Sequence, residues 1–179
     1  ASLPDNTKVR ILRKQGDWIE IESDDVRGWT NRTNLMSSHI DALDADGLHI
    51  LARAAFLGYN ETVKFLLSRG AKAELVDALG RNALHWAIRG GFAGLRVNEL
   101  SIVQKLAAVP DVTVNLVDIE GMTPLLTAIT LGRSDMLNVL LGMKNVDVNV
   151  PGKNGETPLM RAIAYHGQPE IVADLLKVS

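Results

Sequence analysis

One short phrase occurs four times in this sequence. It starts with glycine and ends four residues later with leucine, at 47–51, 80–84, 121–125 and 155–159. The glycines are 33, 41 and 34 residues apart. A period near 33 is typical of repeat proteins, in which one unit cannot bury its own apolar face and must stack on its neighbours. We therefore expect a stacked array with a long, shallow surface and no obligatory catalytic pocket.

Each copy of the phrase lies in the same order of local signals. In the first unit, Asp-x-x-Gly at 44–47 predicts a turn, and 51–57 predicts a short helix. Gly58 then interrupts the apolar pattern, and 61–68 predicts a second helix. The other units repeat this order of turn, short helix, glycine, longer helix and loop.

The turns and helix starts have specific residue signals. Asp-x-x-Gly recurs at 77–80 and 118–121, where Asp can accept backbone N–H groups and Gly tolerates positive φ. The fourth unit has Gly152 in place of Asp, so we expect a looser turn there. Thr-Pro at 123–124 and 157–158 places a capping hydroxyl before a proline at the first helical position.

These units resemble ankyrin repeats. The family's phrase is roughly D-x-x-G-x-T-P-L-H-x-A-A-x-x-G followed by I-V-x-x-L-L. It matches closely at 77–87, again at 118–141 and 155–176, and more loosely at 44–67. The resemblance covers about 44–177 and implies a mainly α fold, an L-shaped solenoid whose turn tips and first helices form a concave, partner-binding side. We place its four helix-turn-helix units at 44–75, 76–116, 117–150 and 151–179.

The second unit departs from the period. Seven extra residues, 92–98, lie between its two helices. An enlarged turn is one explanation, because loop-closure entropy grows slowly with length. The alternative is an additional contact loop that carries Phe92, Leu95 and Arg96.

Residues 1–36 lack a helical period and predict short strands separated by polar turns. The motif G-D-W-x-x-I at 16–21, followed by G-W-T at 28–30 and then Leu35, resembles the second half of a bacterial SH3-like domain. We therefore predict a partial SH3-like β domain at 1–36 and a linker at 37–43, with the first strands of the domain missing. Trp18 and Trp29 are expected to be core residues rather than a ligand platform.

Composition and charge argue against several function classes. The formal net charge is -2, without a block of like charge, so nucleic acid and anionic membrane surfaces are poor partners. No apolar run approaches the ~20 residues that span a bilayer. With no cysteine, the chain can form neither disulfides nor thiolate metal sites.

Four histidines are the obvious candidates for catalysis or metal binding: His39, His49, His85 and His166. They lack zinc-ligand spacing, and no phosphate loop or nucleophile motif is present. We expect no enzyme activity, no metal and no cofactor. The ankyrin resemblance implies that His85 binds neighbouring backbone and ties adjacent units together.

The residue after the His position in each unit forms a column across the concave side, because repeats stack about 10 Å apart. The predicted partner-binding residues are this column, the residues beside it and the turn tips. They are Arg53, Trp86, Thr127 and Arg161; Phe56, Arg89, Thr130 and Tyr165; and Leu79, Arg81, Ile119, Met122 and Lys153. Trp, Tyr and Arg are enriched in binding hot spots. The alternative is that Trp86 and Phe56 only fill gaps between helices.

We interpret the chain as a non-enzymatic protein-binding module. The SH3-like resemblance suggests the periplasm or cell envelope of a bacterium, with the cytoplasm as the alternative location. One specific role there would be neutralising or escorting a secreted effector, as an immunity protein does. The rival is a cell-wall-binding protein that uses the SH3-like part and keeps the array as a scaffold. A third option is an adaptor that assembles host or cytoplasmic proteins.

Overall fold

The computed structural model describes residues 10–15, 18–22, 27–31, 40–44, 46–90, 99–110, 112–165 and 169–178. The 92–98 insertion, with Phe92, Leu95 and Arg96, lies outside this part of the chain. So do His39 and His166, and with them residues 37–39 of the linker predicted at 37–43.

Three strands form one antiparallel sheet near the start of the chain. They are β1 (Arg10–Gln15), β2 (Trp18–Glu22) and β3 (Arg27–Asn31), hydrogen-bonded in the order β1-β2-β3. β2 pairs with both neighbours, so that Ile21 lies opposite Ile11 on one side and Gly28 on the other. The pairing is that of a simple meander, and its identity as part of an SH3-like domain stays a prediction.

In the described part of the chain, eight helices follow in four pairs. The first helix of each pair is α1 (Ile50–Phe56), α3 (Ala83–Arg89), α5 (Pro124–Thr130) or α7 (Pro158–Tyr165). The second is α2 (Asn60–Ser68), α4 (Glu99–Ala107), α6 (Ser134–Leu141) or α8 (Pro169–Leu176). Each first helix has seven or eight residues and each second helix has eight or nine. The expected mainly helical array is therefore confirmed.

The helices form two layers. α1, α3, α5 and α7 pack side by side in that order, and α2, α4, α6 and α8 form the second layer. The core is continuous and consists of small and branched residues, such as Ala54, Leu84 and Ile129, each fully buried. Because neighbouring helix pairs pack on one another, the array is stabilised by interfaces between units.

Side-chain caps fix the starts of two of the first helices, α5 and α3. Thr123 accepts the N–H of Leu126 at 3.1 Å, as its place before a proline predicts. In the second unit Asn82 replaces threonine and accepts the N–H of His85 at 3.2 Å. The fourth turn differs from the others: it is a 3₁₀ helix at Lys153–Gly155, in which Asn154 adopts a φ of 69°.

Candidate functional site

Aspartates at the start of three turns build the framework of the concave side. Asp44, Asp77 and Asp118 each use Oδ1 to accept the backbone N–H groups two and four residues further on, at 2.8–2.9 Å. This pattern is the reason for the Asp-x-x-Gly signal in the sequence. The second carboxylate oxygen of each Asp remains available to a neighbouring side chain.

That second oxygen holds the predicted column residues in place. Arg53 Nε donates to Asp44 Oδ2 at 2.5 Å, and its guanidinium also pairs with Asp46. In the next unit the indole Nε1 of Trp86 donates to Asp77 Oδ2 at 2.9 Å. Arg53 and Trp86 therefore stabilise their own turns, while both remain partly exposed.

In the third unit, the second carboxylate oxygen of the turn Asp accepts a hydrogen bond from a side chain of the second unit. Arg81 Nε donates to Asp118 Oδ2 at 2.9 Å, and another guanidinium nitrogen donates to Glu120 at 2.6 Å. Arg89 completes the cluster, 3.3 Å from Glu120 and 3.8 Å from Asp118. The cluster crosses from the second unit to the third.

Burial and ion pairing shift the pKa values of the groups in this cluster in opposite directions. Burial raises the pKa of Asp118, but the hydrogen bonds from Arg81 and from the Met122 N–H outweigh burial and hold that pKa below its usual value. Burial likewise lowers the pKa of Arg81, yet the bonds to Asp118 and Glu120 raise it on balance. Both groups are ionised at neutral pH.

His85 also ties these two units together. Its ring is fully buried, with Nε2 3.1 Å from the carbonyl oxygen of Met122 and Nδ1 2.8 Å from Asn82 Oδ1. A neutral ring donates to only one of these two oxygens. Burial lowers the pKa of His85, with the Met122 carbonyl acting in the opposite direction. The contact to Met122 is the backbone tie that the resemblance implied.

An aromatic pair connects the first two units. The rings of Phe56 and Trp86 meet edge to face, with centroids 5.4 Å apart and planes at 87°. The Arg81 guanidinium lies 5.5 Å from the centre of the Trp86 ring. Phe56, Trp86, Arg81 and Arg89 are thus brought together from positions up to 33 residues apart.

The fourth unit holds a second, separate group. Arg161 donates to Glu156 at 2.5 Å and to Thr130 of the third unit at 3.2 Å. Its guanidinium lies 5.1 Å from the centre of the Tyr165 ring, which is exposed. No described residue accepts a hydrogen bond from the buried Nε of Arg161.

Three residues that we expected on the open surface are buried. Arg81, Met122 and Thr127 expose only 5%, 8% and 2% of their surface. The Arg81 guanidinium donates to Asp118, and the Thr127 hydroxyl donates to the Thr123 carbonyl at 2.9 Å. The expected exposure of these three residues is wrong.

Other turn residues are open to solvent. Ile119 is 64% exposed, and Val76 and Val117, which precede the turn Asp of successive units, are 43% and 44% exposed. Leu79 is partly exposed, and Lys153 and Glu120 are exposed. Val76, Val117 and Glu120 were not among the predicted residues, although their fixed positions beside the turn Asp could have identified them.

The turns of neighbouring units are joined through their backbones. The Ile119 N–H donates to the Leu79 carbonyl at 3.0 Å, so the exposed tips of the second and third units form one continuous strip. We call Val76, Leu79, Val117 and Ile119 the turn strip. Its position beside the partly exposed Trp86 and Arg89 gives an apolar surface bordered by charge.

One groove lies elsewhere in the described part of the chain. It has a volume of about 680 Å³ and lies between the C-terminal ends of α2 and α4, lined among others by Leu67, Lys72 and Val109. None of the predicted partner-binding residues lines it. The candidate surface on the turn side is therefore separate from this groove.

Within the described ranges, no three His, Asp or Glu side chains come together as metal ligands would. His49 instead has Nδ1 2.7 Å from the carbonyl oxygen of Asp41. None of the described helices has the length and hydropathy needed to cross a bilayer.

Comparison with known proteins agrees with this geometry. A model described as ankyrin repeats (many copies) matches residues 48–107, and one described as ankyrin repeats (3 copies) matches 91–179. Among curated relatives, the E3 ubiquitin-protein ligase KEG of Arabidopsis thaliana is 33% identical over 74% of this chain and 7% of its own length. The human transient receptor potential cation channel subfamily A member 1 is 31% identical over 73% of this chain and 11% of its own.

A bacterial relative is matched over a larger share of its length. A putative ankyrin repeat protein of Rickettsia bellii is 29% identical over 70% of this chain and 65% of its own length. By contrast, the chain spans only 7–12% of the first three curated relatives. What all these proteins share with it is the repeat, and the two family models together cover 48–179. The chain therefore belongs to the ankyrin-repeat family.

Proposed function

We propose that this chain is a non-enzymatic module that binds a protein partner through the turn strip and the adjoining first helices. Ankyrin repeats imply a protein partner, and proteins built from them are generally non-catalytic scaffolds. The single observation that carries the choice of surface is the exposure of Ile119, at 64%, beside Val76 and Val117. A row of apolar side chains in consecutive units is a feature of interaction sites.

The charges around the strip define its polar rim. Glu120 is exposed and already paired with Arg81 and Arg89, so this rim is held in one geometry before a partner arrives. A preordered rim lowers the entropic cost of binding. The partner that fits has an apolar contact residue for Ile119, with hydrogen-bond donors near Glu120.

The test uses a substitution that the fold tolerates. A binder is first selected against the intact chain from a displayed library of protein fragments, and its Kd is then measured by calorimetry. Ile119→Asp should weaken binding by about 10-fold or more while the melting temperature stays unchanged, because the side chain is mostly exposed. Lys64→Glu, an exposed position on α2, is the matched control and should leave Kd unchanged.

The opposite result would assign the function to another surface. If Ile119→Asp retained full affinity for every selected binder while Lys64→Glu lost it, the outer helices would be the binding side. An equal loss of affinity in both variants would mean that binding depends on the charge of the chain and not on this surface. Either result would refute the proposal that the turn strip is the binding surface.

The narrower role is a further proposal that depends on the SH3-like resemblance of residues 1–36. In it the chain works in a bacterial envelope and neutralises or escorts a secreted effector. The alternative is cell-wall binding by the N-terminal segment, with the array as a scaffold. The antiparallel meander β1-β2-β3 supports giving that segment a role of its own. Binding of purified wall fragments by the intact chain, undisturbed by Ile119→Asp, would favour this alternative.

A further inference from the structure

The helix ends of the second layer form a groove that continues across three units. The groove already described between the C-terminal ends of α2 and α4 has a volume of about 680 Å³, and a second one of about 350 Å³ lies between the ends of α4 and α6. Ala108, Val109 and Pro110 line both, so the two grooves are continuous. We call the joined groove the outer trough. No residue of the turn strip lines it, so the protein-binding function proposed above does not account for it.

The floor of the outer trough is apolar. Leu67 near the end of α2, Val109 after α4 and Met143 after α6 are partly exposed along it, and Ala71 and Ala73 are buried. The larger groove alone falls within the range of about 300–1,000 Å³ that is typical of ligand sites. The floor is therefore suited to the apolar side chains of a ligand.

Cationic side chains from all three units border the outer trough. Lys64, Lys72, Lys105 and Lys144 line it, and Glu74 is the one acidic residue among its described lining residues. The formal net charge of the whole chain is -2, so folding gathers a positive surface on a slightly negative protein. Because the four lysines are spread between positions 64 and 144, no run of like charge in the sequence indicates this surface.

None of these four lysines forms an ion pair with a carboxylate in the described part of the chain. Lys105 is partly buried, and its ammonium donates to Asn60 Oδ1 at 2.9 Å and to Ser101 Oγ at 2.6 Å. Both acceptors are neutral, and an ammonium has three protons, so one proton remains for an anion. The C-terminal ends of α2 and α4 carry partial negative charge, which stabilises the lysines without a carboxylate. The outer trough therefore presents positive charge that a bound anion can neutralise.

We propose that the outer trough binds an extended acidic peptide segment of a protein partner, with an apolar side chain between its carboxylates. Packed helices lie about 8–10 Å apart, so the distance from α2 across α4 to α6 is roughly 20 Å. An extended peptide rises about 3.3 Å per residue, so about six to eight residues span the trough. A single anionic group reaches only part of a surface that crosses three units, whereas a peptide places carboxylates along all of it.

The test selects the peptide without assuming its sequence. A displayed library of random peptides of about eight residues, the length that spans the trough, is panned against the intact chain carrying Ile119→Asp. That substitution weakens the turn strip as a competing site, so failure of the turn-strip proposal leaves this test unaffected. The enriched peptides should contain two or more Asp or Glu residues with an apolar residue between them. The most enriched peptide is then synthesised with a fluorescent label, and its Kd is measured by fluorescence anisotropy.

Substitutions of single lysines locate the peptide. Lys72→Met and Lys144→Met should each weaken its binding by about 3-fold or more, because each removes one ammonium from the trough. Both side chains are exposed, so the melting temperature should stay unchanged. The matched control Lys177→Met removes the same charge from a position outside the trough and should leave the Kd unchanged. A peptide with Asn and Gln in place of Asp and Glu should bind at least about 10-fold more weakly.

Three results would overturn the proposal. One is a selection that enriches no acidic peptides. Another is equal weakening by Lys72→Met and Lys177→Met, which would mean that the peptide responds to the net charge of the chain and not to the trough. The third is sedimentation of the unmodified chain as a dimer that Lys72→Met and Lys144→Met convert to a monomer. That outcome would make the acidic turns of a second copy the occupant of the outer trough.

Discussion

Gly121 lies where the turns of the third and fourth units approach each other most closely. Its φ is +78°, and a Cβ added there would lie 2.9 Å from the Cα of Lys153 and closer still to its backbone nitrogen. Gly47 in the first unit has almost the same φ, +77°, but no described atom lies within 4 Å of an added Cβ. The two glycines therefore share a conformation and differ in their surroundings.

The magnitude follows from this difference. An alanine in the left-handed region costs roughly 1–2 kcal/mol, and this cost applies to both positions. Gly121→Ala must in addition push the backbone of Lys153 away, and overpacking of this kind costs typically 1–3 kcal/mol. We expect Gly121→Ala to lower the free energy of unfolding by about 2 kcal/mol more than Gly47→Ala.

Urea unfolding followed by far-ultraviolet circular dichroism measures both variants under the same conditions. The greater destabilisation by Gly121→Ala should lower the urea concentration at the midpoint of unfolding. The dependence of the unfolding free energy on urea concentration should stay unchanged if the array still unfolds as one unit. If the two variants agreed within about 0.5 kcal/mol, the close approach of the two turns would not contribute to stability, and the reasoning would be refuted.

Two further predictions concern the contacts between the second and third units. Arg81→Met should destabilise by about 3 kcal/mol in urea unfolding, because it leaves the buried Asp118 carboxylate without its main partner. The control Lys177→Met removes an exposed ion pair and should cost less than about 0.5 kcal/mol; equal effects would contradict the assignment. Because burial lowers the pKa of His85, the unfolded chain binds the proton first. Stability should be complete above the ordinary histidine pKa of about 6.5 and should fall as the pH drops below it. His85→Ala should reduce the loss of stability between pH 7.5 and 5.5. An unchanged pH dependence of stability would contradict this role of His85.

Local signals predicted the helices well. The helices expected at 51–57 and 61–68 are found at Ile50–Phe56 and Asn60–Ser68. Caps and apolar periodicity act within a few residues, and so a single unit already contains the information. The cap at Thr123 could be foreseen for the same reason. The looser fourth turn expected from Gly152 is instead a 3₁₀ turn that keeps the backbone hydrogen bonds of the other turns.

Contacts between units were harder to foresee. Because Arg81 follows a turn glycine, its local sequence predicts an exposed side chain. It is buried instead, because it pairs with the carboxylate of Asp118, 37 positions away. The 41-residue spacing around the insertion obscures which residues of the two units face each other. Local pattern describes what a residue does within its unit, and it leaves open which side chains meet across an interface.

The environment of Trp86 has an optical consequence. A carboxylate accepts the hydrogen bond from its indole nitrogen, a guanidinium lies over its ring, and Phe56 of the preceding unit meets its edge. These opposite charges act on the excited-state dipole of the indole. Because Arg81 is also held by Asp118 and Glu120 of the third unit, the emission colour of Trp86 depends on the contact between the second and third units. With Trp18 and Trp29 replaced by phenylalanine, Trp86 becomes the one tryptophan of the chain. The fluorescence emission of Trp86 then reports bending of the array without an added label, and it can be recorded during titration with a partner.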